Sequence, residues 1–158
     1  MKKIFIPLAI LIIVSLSACN NKDKKTTTDN KADTIRSKMD SLESDVNEGH
    51  MGGMEKMGRL KAMQAQLERI VDSIEKLPAK AKQALLPYRD KVNKVIDELK
   101  SAGEGMNKWM NEYNMDSALN NANERMKYLD EEKRKVSSIK ENILNGIQKA
   151  DSLIKAKF

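Results

Sequence analysis

The sequence predicts an all-α protein, an elongated antiparallel three-helix bundle with coiled-coil-like seams. Three observations support this fold class. Aromatic residues make up only 4% of the chain and charged residues 33%, a composition that favours helices over sheets. Apolar residues recur every three or four positions along three long stretches, which is the spacing of a helical stripe. Turn signals near Pro78 and Asn114 leave only short connections, so successive helices should run antiparallel.

Residues 1–18 have the pattern of a secretory signal peptide. Two lysines precede an apolar run over residues 4–16, which is shorter than the ~20 apolar residues of a transmembrane helix. The quartet Leu16-Ser17-Ala18-Cys19 resembles the lipobox of bacterial lipoproteins, in which a peptidase cuts before the cysteine and lipid is attached to its sulfur. We therefore expect lipid on Cys19; the alternative is an ordinary signal peptide with an incidental cysteine.

The residues that follow Cys19 indicate the cellular compartment of the protein. Cys19 is the only cysteine, so its acylation leaves no thiol for a disulfide, a metal or a catalytic nucleophile. Asn20 in the next position resembles lipoproteins that proceed to the outer membrane, and Lys22-Asp23 faintly resembles an export signal for the cell surface. The sequence thus predicts an outer-membrane, lipid-anchored protein, with the periplasmic and surface orientations both open.

Residues 19–33 are predicted to form the lipidated cysteine and a disordered tether, because they contain no large apolar residue after Cys19. The first helix is predicted over residues 34–76, where every apolar step is three or four. Its stripe is Ile35, Met39, Leu42 and Val46 and, after His50 at the next step, Met54, Met57, Leu60, Met63, Leu67, Val71 and Ile74. Three glycines between Gly49 and Gly53 each cost ~1 kcal/mol in a helix interior, so a kink or frayed turn is expected there.

The second and third helices are predicted over residues 79–113 and 117–156, so the bundle spans residues 34–157. Pro78 ends the first helix and suits the first turn of the second. Pro87 predicts either a kink or a short first segment over residues 79–86, and the sequence leaves both open. The third stripe, from Leu119 to Ile154, is interrupted where Lys133 takes a seam position.

Charge and motif content exclude several function classes. The net charge of +6 falls to about +4 without the two lysines of the signal, and opposite charges alternate along the helices, so no nucleic-acid partner is expected. The single histidine has no nucleophile or acid at a defined spacing, so we expect no enzyme and no catalytic residues. The carboxylates of Asp130, Glu131 and Glu132 are interpreted as a solvated helix face.

Counting outward from the two predicted turns places one histidine, three methionines and a tryptophan at one level of the bundle. Imidazole and thioether groups bind soft Cu(I), so this level is a candidate cuprous site. Its ligands would be His50, Met54, Met106 and Met126, with Trp109 covering an open coordination face. The alternative interpretation is ordinary core packing, because methionine fills irregular gaps and no spacing here is specific for a metal. Apart from the lipid and this candidate copper ion, no cofactor is expected.

Four segments resemble a known family. They are the run from His50 to Gly58, the run from Ala102 through Met106 to Trp109-Met110, Tyr128 to Lys133, and Ile147 to Leu153. Together they are similar to a group of small Bacteroidota lipoproteins catalogued as viral A-type inclusion protein. The resemblance implies a lipid-anchored helical envelope protein without an established activity. Gly52-Gly53 departs from the acidic, helical pattern of that family. This departure is a second reason to expect that the first helix is interrupted there.

These observations predict a non-catalytic envelope protein that acts as a scaffold or adaptor for an unidentified protein partner and contacts the membrane through its lipid. Cu(I) handling is one alternative, and chaperone-like binding of clients on exposed methionines is another. A slim bundle buries less surface than a globule, so a second copy of the chain could add a further helix as a homo-oligomer.

Overall fold

The computed structural model describes residues 23–156 and, among side chains, those of residues 30–156. Three helices cover this part of the chain: α1 (Asp23–Glu75), α2 (Ala79–Glu112) and α3 (Ala122–Lys155). Each helix packs against both others, which confirms the all-α three-helix bundle. The predicted signal peptide, the lipobox and Cys19 lie outside the described residues.

The core is a continuous apolar seam along the bundle axis. Leu67, Val92 and Leu99 are completely buried, and each such side chain contributes roughly 1.5–3 kcal/mol through its removal from water. The largest fully buried side chains are Leu60, Leu67, Leu99, Met106, Leu129, Ile143, Val92 and Val136. No helix in residues 23–156 combines the length and apolar content needed to cross a bilayer.

Helix α1 begins at Asp23, within the segment predicted to be a disordered tether. Residues 23–33 are therefore helical, contrary to that prediction. They contain neither glycine nor proline, and adding residues to a helix that is already anchored in the bundle avoids the cost of nucleation. The side chains of residues 30–34 are exposed, in agreement with their lack of apolar groups.

Helix α1 runs without a break through Gly49, Gly52 and Gly53, so the predicted kink or frayed turn is absent. Gly49 and Gly53 are buried at the contacts with the other helices. A Cβ on Gly49 would lie 2.7 Å from the Cγ1 atom of Val136, and one on Gly53 would overlap the Cε methyl of Met106. The glycines allow close helix approach, and the packing that they permit offsets their low helix propensity.

Helix α2 also continues through its proline. Pro87 lies inside Ala79–Glu112, so no separate first segment over residues 79–86 exists. The proline is exposed near the helix start, where one lost backbone hydrogen bond has little effect on the core.

Helix α3 begins at Ala122, five residues later than predicted. The side chain of Asn121 accepts hydrogen bonds from the backbone N–H groups of Asn123 and Glu124, which makes Asn121 the N-cap. Leu119, predicted as the first seam residue, lies in the preceding turn and is 62% exposed. Two charged residues, Arg125 and Glu132, occupy buried positions of the seam instead.

Candidate functional site

An open groove of about 670 Å³ lies where α2 ends and the chain turns toward α3. Its walls come from α1, from the end of α2 and from the connection over residues 113–121. The lining residues are Glu43, Val46, Asn47, His50, Trp109, Met110, Tyr113, Met115, Leu119 and Arg125. A volume of this size matches that of sites for small ligands or for a few side chains of a partner.

Four rings form a row along this end of the bundle. His50 lies 5.4 Å from Trp109 between ring centroids, with the two planes tilted by 42°. Trp109 stacks on Tyr113 at 4.9 Å, and Tyr113 stacks on Tyr128 at 6.1 Å. Offset stacking of this kind stabilises aromatic pairs beyond the effect of burial and gives the groove a rigid wall.

The indole of Trp109 is held in place by a buried carboxylate. Its Nε1–H donates to Oε2 of Glu132 at 2.8 Å, and Nζ of Lys135 donates to the other carboxylate oxygen at 2.7 Å. The hydrogen bond to Glu132 raises the pKa of Lys135 above its ordinary value. Glu132 is only 5% exposed, so the interpretation of residues 130–132 as a solvated face is wrong for this residue. Because both of its oxygens accept hydrogen bonds, the carboxylate of Glu132 fixes the orientation of the indole ring.

Arg125 links α3 to α1 and to the connection over residues 113–121. Its Nη2 donates to Oε1 of Glu43 on α1 at 2.8 Å, and its Nη1 donates to the carbonyl oxygen of Ser117 at 3.0 Å. The guanidinium also lies 5.8 Å from the ring centroid of Tyr128. Burial raises the pKa of Tyr113, and the positive charge of Arg125 acts against that shift. Because Glu43 offsets the charge of Arg125, the groove carries little net charge.

The connection over residues 113–121 is a tight, hydrogen-bonded loop. The backbone N–H of Asp116 donates to Oδ1 of Asn114 at 2.9 Å, and that of Asn121 donates to the carbonyl oxygen of Ala118 at 3.1 Å. Ala118 has a φ of 57°, a left-handed conformation that costs about 1–3 kcal/mol in a residue other than glycine. The loop presents Met115 and Leu119 to solvent, 71% and 62% exposed, at the rim of the groove.

Two buried nitrogen atoms of groove-lining residues have no hydrogen-bond partner among the described residues. They are Nε2 of His50 and Nε of Arg125. Leaving a buried polar group unpaired costs roughly 1–3 kcal/mol, so such atoms are uncommon in folded proteins. The guanidinium of Arg125 donates two other hydrogen bonds, whereas Nε2 of His50 has no partner and lies beside the aromatic wall. Nε2 of His50 is therefore the atom in the groove whose hydrogen-bonding capacity is left unused.

The structure brings together part of the residue set predicted for the metal. His50 and Trp109 are in contact, as the level count predicted. Met106 is completely buried in the core and Met54 is 37% exposed, while Met126 is half-buried on α3. None of these three methionines lines the groove; the thioethers that do so belong to Met110 and Met115.

Sequence reasoning missed Met115, Arg125 and Glu132 as site residues. The sequence pattern placed Lys133 on the seam of α3, whereas the structure buries Glu132, one position earlier, and leaves Lys133 half-buried. Within residues 23–156, no group of three or more His, Cys, Asp or Glu side chains is placed to hold a metal ion.

Comparison of the chain with protein-family models, with curated proteins and with solved structures gives no match. The resemblance to the lipoproteins catalogued as viral A-type inclusion protein therefore stays a prediction.

Proposed function

We propose that this protein is a non-catalytic, lipid-anchored adaptor of the cell envelope, and that it holds an apolar segment of a partner protein in the groove beside Trp109. The observation that carries this proposal is the rim: Met115 and Leu119 are exposed directly beside the half-buried Met110 and Tyr113. Exposed apolar side chains next to a pocket with aromatic walls are typical of protein interaction sites.

The anchor is the second part of the proposal. Lipid on Cys19 would keep the bundle at the outer membrane, and α1 would project the groove away from it. Stable anchoring requires more than one acyl chain, because one chain gives only reversible binding. A Cys19→Ala variant that is still exported should leave the membrane fraction, and unchanged membrane association would refute the anchor.

The groove is tested by placing a photo-crosslinking amino acid at position 119 in intact cells. A matched control carries the same amino acid at Gly58, an exposed α1 position where an added Cβ meets no atom within 4 Å beyond its own helix backbone and its chain neighbours. We expect one discrete adduct from position 119, absent from position 58 and lost when Met110 is replaced by lysine. Equal adducts from both positions, or none from position 119, would contradict an adaptor role for the groove.

A further inference from the structure

We propose that the groove binds a soft monovalent cation, Cu(I), through Nε2 of His50 and the thioether sulfurs of Met110 and Met115. This ligand set differs from the one that the sequence predicted, which shares only His50 with it. The inference does not depend on the adaptor role, because a metal ion and a protein segment would be detected by separate experiments.

The first step of the argument is the free imidazole nitrogen. Nε2 of His50 is buried, has no hydrogen-bond partner and belongs to a residue that lines the groove. A neutral imidazole offers a lone pair at an unprotonated ring nitrogen, which makes it a common metal ligand. A cation bound there would supply the interaction that Nε2 lacks.

The second step is the pair of thioethers. Met110 follows Trp109 on α2, and Met115 lies in the loop that closes the same groove. Both side chains have three rotatable bonds and a soft sulfur atom. Met110 is half-buried and packs against the edge of the core, and Met115 is 71% exposed. Thioether sulfur is a soft ligand that selects Cu(I) over hard cations such as Mg²⁺ or Ca²⁺.

The third step concerns the surroundings of these donors. The indole of Trp109 lies 5.4 Å from the imidazole between ring centroids and is fixed by Glu132, so a cation bound at His50 would lie near its π-system. The positive charge of Arg125 is offset by Glu43 at 2.8 Å, so a monovalent cation meets little repulsion. The residues that line the groove therefore include one imidazole and two thioethers, with an indole ring beside the imidazole.

The test is a titration of the full-length protein with Cu(I), kept reduced by ascorbate under anaerobic conditions, against a chromogenic Cu(I) chelator. Trp109 is the only tryptophan, so its emission reports directly on the groove. We expect one equivalent of Cu(I) to bind in competition with the chelator and to quench that emission. Ag(I), a soft ion of the same charge, should reproduce the quenching, whereas Zn²⁺ should not.

Variants separate this ligand set from its alternatives. Met110→Leu together with Met115→Leu conserves side-chain volume and should weaken Cu(I) binding by at least about 100-fold. The matched control, Met51→Leu together with Met54→Leu, changes two exposed methionines that do not line the groove and should bind as the unmodified chain does. His50→Asn should abolish the quenching of Trp109.

Helical circular dichroism of each variant, measured beside the titration, shows whether the bundle is folded. Binding that survives in the folded Met110/Met115 variant, or that is lost in the Met51/Met54 control, would overturn the proposed ligand set. Failure of the unmodified chain to compete with the chelator would overturn the site itself. Neither result would bear on crosslinking at position 119.

Discussion

The middle of the bundle and the end that carries the groove are built from the same three helices, yet their seams differ in chemistry. In the middle, Leu67, Val92 and Leu99 are completely buried among other apolar side chains. At the groove end, the buried positions include Arg125 and Glu132, and Nε2 of His50 has no partner. The middle has the composition of a structural core, whereas the groove end contains buried charged groups and an unpaired ring nitrogen.

Truncation of one leucine in each region is expected to give the largest difference in stability between the two regions. Leu99→Ala removes a completely buried side chain and should lower the free energy of unfolding by about 2–5 kcal/mol. Leu119→Ala at the groove rim, where the side chain is 62% exposed, should change it by no more than about 0.5 kcal/mol. Urea denaturation of both variants gives the two values, and similar losses would show that the rim is part of the core.

Two glycines of α1 test how closely the helices approach at the border of the two regions. Gly49→Ala places a Cβ 2.7 Å from Cγ1 of Val136, a stiff buried side chain, so we expect a loss of about 1–3 kcal/mol. Gly58→Ala is the matched control, since no atom lies within 4 Å of its new Cβ and helix propensity should stabilise it by up to about 1 kcal/mol. Thermal unfolding that shows the same sign for both variants would contradict close packing at Gly49.

The far end of the bundle, where α1 meets α2, gives the smallest expected effect. Hydrogen bonds from Lys82 and Arg89 lower the pKa of Glu75. Because the folded pKa is below the unfolded one, these contacts stabilise the protein above the unfolded pKa, and the stabilisation is lost as the pH falls through the folded pKa.

Glu75→Gln should therefore make stability slightly less dependent on pH on the acid side. The measurement is the urea midpoint between pH 7 and pH 3 for the variant and the unmodified chain. An unchanged acid dependence would show that these exposed ion pairs contribute nothing measurable.

The three helices could be predicted from sequence because apolar spacing is a property of each segment alone. The continuity of α1 through Gly49 and Gly53 could not, since the low helix propensity of glycine is local while the reason for these glycines lies on α2 and α3. The burial of Glu132 was missed for a similar reason: a carboxylate is normally exposed, and only the fold shows its partners Trp109 and Lys135.

For the candidate site, counting residues from the turns placed His50 beside Trp109 correctly. The methionines selected by the count, Met54, Met106 and Met126, do not line the groove, whereas Met110 and Met115 do. The loop over residues 113–121 is not helical, so its Met115 has no place in a helical register. Met110 directly follows the buried Trp109 and lies beside the seam, so the periodicity of α2 does not predict that it lines a groove.

X-ray absorption at the copper edge of the Cu(I)-loaded protein tests most directly whether the groove end is a binding site and not a second structural core. The proposed site predicts one nitrogen and two sulfur neighbours around copper, with both sulfurs lost in the Met110→Leu, Met115→Leu variant. A shell of nitrogen and oxygen alone, or a sulfur shell that persists in this variant, would contradict it.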